Sequence, residues 1–231
     1  MSTIIETKKL IKNYYNGDLV LNVLKSLDLL VKKGEFVTIT GRSGSGKSTL
    51  LYQLGLLDKP TSGQIILEGV DASSLSENDM IDYRLNKLGY IFQDYAILPE
   101  MTAAENIMLP LLMQGLPEHL AYKKSLEALE RVQLAHRPDN LPSQLSGGEQ
   151  QRVSIARALA HNPTIMFADE PTANLDSETA EVIMNTFVNL NRDGQTIVMV
   201  THEPEYTELG HRTVELDDGV IVGSEINKRV A

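Results

Sequence analysis

Eight residues, Gly41-Arg42-Ser43-Gly44-Ser45-Gly46-Lys47-Ser48, set two glycines around four intervening residues and follow the second with lysine and serine. Such a chain wraps closely around phosphate oxygens, with successive N–H groups of Gly41, Ser43, Gly44, Ser45 and Gly46 pointing inward. Lys47 is expected to reach the β- and γ-phosphates of a nucleotide and Ser48 to ligate Mg²⁺, with Thr49 as the next nucleotide contact. A β-branched run at 35–40 precedes the loop and helix-forming residues follow Lys47. That context separates a phosphate loop from a flexible Gly/Ser segment with a stray lysine.

A phosphate loop needs a metal-holding carboxylate. Ile165, Met166, Phe167 and Ala168 form an apolar run that ends on Asp169 and Glu170. The run reads as a buried strand with acids at its C-terminal end, where open α/β sheets bind ligands. Asp169 is the expected Mg²⁺ partner through water, and Glu170 is placed to accept a proton from an attacking water. By itself an Asp-Glu pair reads as a solvated turn; the phosphate loop favours the chemical role.

Leu145-Ser146-Gly147-Gly148-Glu149-Gln150-Gln151 offers a second phosphate-binding feature. Ser146 is an N-cap, the glycines allow close backbone approach, and a helix runs on from Glu149. One nucleotide does not need two such sites on one chain. A head-to-tail dimer, in which each chain offers this helix to the other's phosphate loop, is the economical arrangement.

The elements that must position these residues follow from periodicity. The first third reads as strands, with short runs at 35–40, 65–67 and 88–92 and a capped helix opening at Ser76. From Thr102 to about Ala160 the helical period dominates, with a Thr102/Glu105 capping pattern and an amphipathic stretch at 118–134. Prolines 99, 110, 117, 138 and 142 are expected to break this region into pieces. Strand signals return at 165–168, 196–200, 213–216 and 220–222, with a helix at about 177–191, and Asp218-Gly219 is a hairpin turn. The alternation predicts an α/β fold: a phosphate-loop NTPase core with a parallel sheet and an inserted helical subdomain. The whole chain, 1–231, reads as one domain, with the catalytic core at about 1–93 and 161–231 and the helical subdomain at about 94–160.

Composition excludes several classes. Of 231 residues, 42% are apolar and 23% charged, so wholesale disorder is ruled out. There is no apolar stretch of membrane-spanning length and no secretory signal at the start. No cysteine is present, which excludes disulfides and thiolate metal sites. A net charge of −10 argues against gripping nucleic acid or anionic lipid over a broad surface.

The Ser146 to Gln151 segment resembles the signature motif of the ABC ATPases, the nucleotide-binding subunits of ABC transporters, and the resemblance covers nearly the whole chain. It implies an N-terminal antiparallel β subdomain, ATP and Mg²⁺ as ligands, and a homodimer that sandwiches two nucleotides. It implies that Gln93 is the glutamine contacting Mg²⁺ and the attacking water, that Asn174-Leu175-Asp176 crosses the dimer interface, and that His202 contacts the γ-phosphate. Tyr14 is the residue expected to stack on adenine. Ser146 and Gly148 of one chain face the nucleotide of the other.

The segments at 43–51, 55–63 and 92–106 are similar to ATPases of the macrolide-exporter and lipoprotein-releasing type. That branch implies an integral membrane permease as partner and export or extraction of a lipophilic, peptide or lipoprotein substrate. It places the chain in the cytoplasm, peripheral on the cytoplasmic face of the cell (inner) membrane. The alternative is a non-transport relative, such as a cell-division regulator or mechanotransmitter. The transported substrate is chosen by the membrane subunit and is not written here.

Overall fold

The structure, a computed structural model, describes residues 2–17 and 19–227. The chain forms two compact units, Met1–Ile81 with Asn191–Ala231, and Asp82–Leu190.

The first unit contains two sheets. β1 (Thr3–Asn16) pairs antiparallel with β2 (Leu19–Lys32) on one side and with β4 (Ser62–Leu67) on the other, and β5 (Val70–Asp71) extends the edge. β1 and β2 are long and slip register around Leu10, close to the left-handed Lys9 (φ 47°) and Ser26 (φ 58°). Such bulges bend and twist a long ribbon, which a strictly alternating pattern would leave flat.

β3 (Phe36–Thr40) lies parallel to both β8 (Thr196–Val200) and β9 (Arg212–Asp217). Every residue of β8 and all but Thr40 of β3 are buried, as a near-continuous β-branched run in a parallel sheet demands. β10 (Val220–Ile226) closes the edge antiparallel to β9. The intervening Asp218 (φ 43°) and Gly219 (φ 78°) both take positive φ, the two-residue turn expected from the sequence. The short helix α7 (Pro204–Thr207) lies between β8 and β9. α1 (Lys47–Leu54) follows β3 through the glycine-rich loop.

The second unit pairs β6 (Leu88–Ile91) parallel to β7 (Ile165–Asp169), all of whose residues are buried. The helix before β6, α2 (Glu77–Lys87), has the Ser76 side chain accepting from the Asp79 N–H at 3.2 Å, as its sequence pattern predicts. Between β6 and β7 lie α3 (Ala103–Met113), α4 (Glu118–Arg131) and α5 (Gly147–Leu159), and α6 (Ser177–Arg192) follows β7. The predicted Thr102/Glu105 capping box is present at the start of α3.

Pro110 departs from expectation, because it sits inside α3 without ending it. The helix survives the lost N–H because its N-terminal half is anchored. Asn106 is fully buried, and its amide donates to the carbonyls of Leu98, Met101 and Thr102, each at 3.0 Å, while its Oδ1 accepts from the Leu98 N–H at 2.7 Å. Fully buried Ile107 and Leu111 complete the packed face. Tertiary packing here outweighs a local helix breaker.

Candidate nucleotide site

The glycine-rich loop connects the C-terminal end of β3 to the N-terminus of α1. Two of its glycines are required by geometry. Gly41 (φ 149°) lies so close to the Leu216 carbonyl that any Cβ would overlap it, and Gly46 (φ 101°) puts a Cβ position 3.0 Å from the Val23 carbonyl. Gly46 is also the N-cap of α1, and it brings no side-chain cap. No acid lies in the first turn of α1. The opening N–H groups and positive dipole end of this helix are therefore not neutralised by its own sequence.

Lys47 is 7% exposed, and its ammonium is held by the carbonyls of Gly41 and Arg42, both at 2.9 Å. The buried Ser45 hydroxyl has no hydrogen-bond partner. An unneutralised helix start, a lysine folded back over its own loop and an orphaned hydroxyl form a donor set that fits a polyphosphate.

Tyr14 stands near the end of β1, 40% exposed. Its hydroxyl donates to Asp58 Oδ2 at 2.8 Å and also meets the Thr49 side chain. Burial, and then the bond to Asp58, push the Tyr14 hydroxyl pKa up. Burial also pushes the Asp58 carboxyl up, but hydrogen bonds from Lys12 and Tyr14 outweigh it and hold that group below its usual range. His202 is exposed, two residues beyond β8, after buried Thr201, whose hydroxyl accepts the Glu203 N–H at 3.1 Å.

The second unit carries the other candidates. Gln93 is exposed just past β6, and its carbonyl accepts from Asn174 Nδ2 at 3.1 Å. Two residues on, Tyr95 and Ala96 take left-handed φ of 63° and 49°. The Arg157 guanidinium of α5 holds both their carbonyls, at 3.2 and 2.7 Å. Asp169 ends β7 at 4% exposure, and Glu170 follows at φ 43°, a conformation that disfavours a glutamate. Buried Gln151 of α5 donates to the Pro171 carbonyl at 2.8 Å, so the backbone just after Glu170 is tied to the signature helix.

α5 begins at Gly147, directly after the Ser146 N-cap expected from the sequence, and Ser146 and Glu149 form a capping box. The Ser146 hydroxyl accepts the Glu149 N–H at 3.3 Å, and the Glu149 carboxylate accepts the Ser146 N–H at 2.8 Å. That second bond, chiefly, holds the Glu149 pKa down. Gly148 is buried, and a Cβ on it would overlap the Thr179 methyl. Thr179 is itself held by Asp176, through its N–H at 3.0 Å and its hydroxyl at 2.7 Å.

Among the described residues, no cluster of three or more His, Cys, Asp or Glu side chains could cage a metal. A divalent cation here would be held by a hydroxyl such as Ser48, a carboxylate and phosphate oxygens, the donor set Mg²⁺ favours. Sequence reasoning missed Lys12, Asp58, Arg157 and Gln151. Each acts over 20 or more residues of separation, where no local pattern exists.

Residues 24–173 match the family model described as ABC transporter. The match includes the phosphate loop, Gln93, the Ser146 segment, Asp169 and Glu170, and leaves Tyr14 and His202 outside it. The chain is 49% identical to the lipoprotein-releasing system ATP-binding protein LolD of Aquifex aeolicus, over 94% of this chain and 93% of that protein. It is 42% identical to the macrolide export ATP-binding/permease protein MacB of Brucella melitensis, over 98% of this chain but 35% of that longer one. Its fold superposes with a TM-score of 0.90 and 41% identity on the ATP-binding cassette MJ0796, a dimer in a post-hydrolysis state bound to ADP and Pi. That likeness covers 96% of this chain and 98% of the other.

Proposed function

The chain belongs to the ABC transporter family as an ATP-hydrolysing subunit, and we propose that two copies close on two ATP molecules and open after hydrolysis to drive a membrane permease. No helix among the described residues is long and apolar enough to cross a membrane, so the spanning work falls to that partner. The cargo is a lipophilic molecule, a peptide or a lipoprotein, exported or extracted from the membrane. The ATPase sits on the cytoplasmic face of the inner membrane. The transport names of the relatives favour this reading over a cell-division regulator.

In this reading Lys47 and the loop amides hold the β- and γ-phosphates, and Tyr14 stacks on adenine. Ser48, Gln93 and Asp169 would hold Mg²⁺, which would supply positive charge to offset the charge developing in the transition state. Glu170 accepts a proton from the attacking water, and His202 contacts the γ-phosphate. Water adds to the γ-phosphorus as the bond to the ADP oxygen breaks, giving ADP and phosphate. Ser146 and Gly148 of the partner copy meet the γ-phosphate, so losing it removes the anion that bridges the two chains.

The observation that carries this proposal is the start of α1: uncapped, free of acids, and fronted by Lys47 on its own loop carbonyls. The test is Glu170→Gln with ATP and Mg²⁺. Turnover should fall about 10²- to 10⁴-fold, and the protein should elute as a dimer on size exclusion. A monomer under saturating ATP would sink the two-copy mechanism. Pull-down of the same variant from native membranes should bring a stoichiometric integral membrane protein; an active ATPase without one would sink the permease assignment.

A further inference from the structure

A side-chain cluster in the first unit has no part in the hydrolytic roles above. Lys12 of β1 is only 8% exposed. Its ammonium donates to Asp58 Oδ1 at 2.6 Å and to the Lys59 carbonyl at 2.7 Å, and it lies 4.8 Å from the centroid of the Tyr14 ring. The other Asp58 oxygen accepts the Tyr14 hydroxyl at 2.8 Å. One carboxylate therefore grips both the cation and the rim of the ring that the cation covers. Two more bonds strap the same loop to β1: Thr61 N–H to the Ile11 carbonyl and Asn13 N–H to the Thr61 hydroxyl, both at 2.9 Å.

This loop is the exit of α1. The N–H groups of Leu57 and Asp58 return to the Tyr52 carbonyl at 2.9 and 3.4 Å, which fixes where the carboxylate stands. Eight helical residues span about 12 Å. The Tyr14 hydroxyl is thus tied to both ends of one short helix, to Thr49 in its first turn beside the phosphate loop and to Asp58 beyond its last.

A buried ammonium against an aromatic ring is attracted by the ring's quadrupole and occupies that face. Tyr14 keeps 40% exposure with the Lys12 ammonium over its ring, so the face open to a ligand is the one Lys12 does not cover.

We propose that Lys12 and Asp58 are positioning residues for the nucleotide base: Lys12 occupies one face of Tyr14, and Asp58 fixes the plane of the ring. A single face is left for a purine, at a distance from the phosphates set by α1. The proposal rests on the reading of Tyr14 as the base platform.

The experiment is calorimetric titration of the full chain with ADP and, separately, with inorganic pyrophosphate, each with Mg²⁺. The ratio of the two Kd values reads the base and sugar alone, and neither probe carries a γ-phosphate to close a dimer. Tyr14→Ala should weaken ADP roughly 5- to 20-fold with pyrophosphate unchanged. Lys12→Met and Asp58→Asn should each weaken ADP roughly 2- to 5-fold, again with pyrophosphate unchanged. Tyr14→Phe, which keeps the ring and drops its ties to Asp58 and Thr49, should fall between wild type and Tyr14→Ala.

If Tyr14→Ala leaves the ratio unchanged, the platform reading itself fails. If Tyr14→Ala raises the ADP-to-pyrophosphate Kd ratio while Lys12→Met and Asp58→Asn do not, the platform stands and the positioning role is overturned. Equal weakening of ADP and pyrophosphate in Lys12→Met and Asp58→Asn, with a lowered Tm, would mark a purely structural cluster and also overturn it.

Discussion

The helices α1 and α5 both begin in glycine and serine, and the sequence offers both starts as phosphate sites, yet their ends are finished differently. At α1 the cap is Gly46 and the first turn holds no acid. At α5 Ser146 accepts the Glu149 N–H, and the Glu149 carboxylate accepts from Ser146. A helix that caps itself has satisfied part of the hydrogen bonding an anion would supply, and its own carboxylate opposes another negative group. The difference teaches a division of labour. In the proposed mechanism α1 would be finished by phosphate and grip nucleotide in a single chain. α5 is complete alone, so it suits a contact made and broken each cycle.

The sharpest way to break this comparison is to disable each start in turn. Lys47→Ala should weaken ADP binding roughly 10- to 100-fold, the loss of charge-assisted hydrogen bonds, as read by calorimetry. Ser146→Ala should move ADP affinity of the single chain by less than about two-fold, and show instead as less ATP-dependent dimer in the Glu170→Gln background. Comparable losses of ADP affinity in the two variants would erase the distinction.

A smaller effect concerns stability. Ser146→Ala removes a helix cap worth about 1 kcal/mol, so Tm should drop by about 2–4 °C for a chain of this size. No shift in a thermal melt would mean the box contributes nothing to the folded state.

The smallest effect is on pH dependence. The Glu149 carboxyl is held below the ordinary glutamate pKa of 4.5, first by the Ser146 N–H and also by the neighbouring Arg137 and Arg152 charges, with Arg137 Nε 3.5 Å from its carboxylate. Its contribution is fully present above pH 4.5 and is lost as pH falls through the lower folded value. Glu149→Gln should therefore melt lower than wild type near neutrality, with the gap narrowing as pH drops below that point. A gap that stayed constant with pH would place the effect in packing instead of charge.

Legibility followed the range of the interaction. Capping residues three apart wrote the starts of α2 and α3 into the sequence, and Asp218-Gly219 wrote the β9–β10 turn, because both partners lie within one turn of chain. The Ser146 cap of α5 was legible in the same way, from a serine followed three residues later by Glu149. Pro110 read as a break and is not one, since anchoring by Asn106 is decided by packing. The left-handed Glu170, and Arg157 holding Tyr95 and Ala96, have no local signature at all.

The sequence by itself determined the chemistry: the spacing of Gly41, Gly46, Lys47 and Ser48, the apolar run ending on Asp169 and Glu170, and the Ser146 segment. These are legible because phosphate binding needs particular residue types at fixed local spacing, whatever surrounds them. Only the tertiary structure decided which helix start stays open to an anion, how Tyr14 is held between Lys12 and Asp58, and what fixes the backbone beside Gln93. Those depend on groups tens of residues apart, brought together by burial of the core and not by any pattern along the chain.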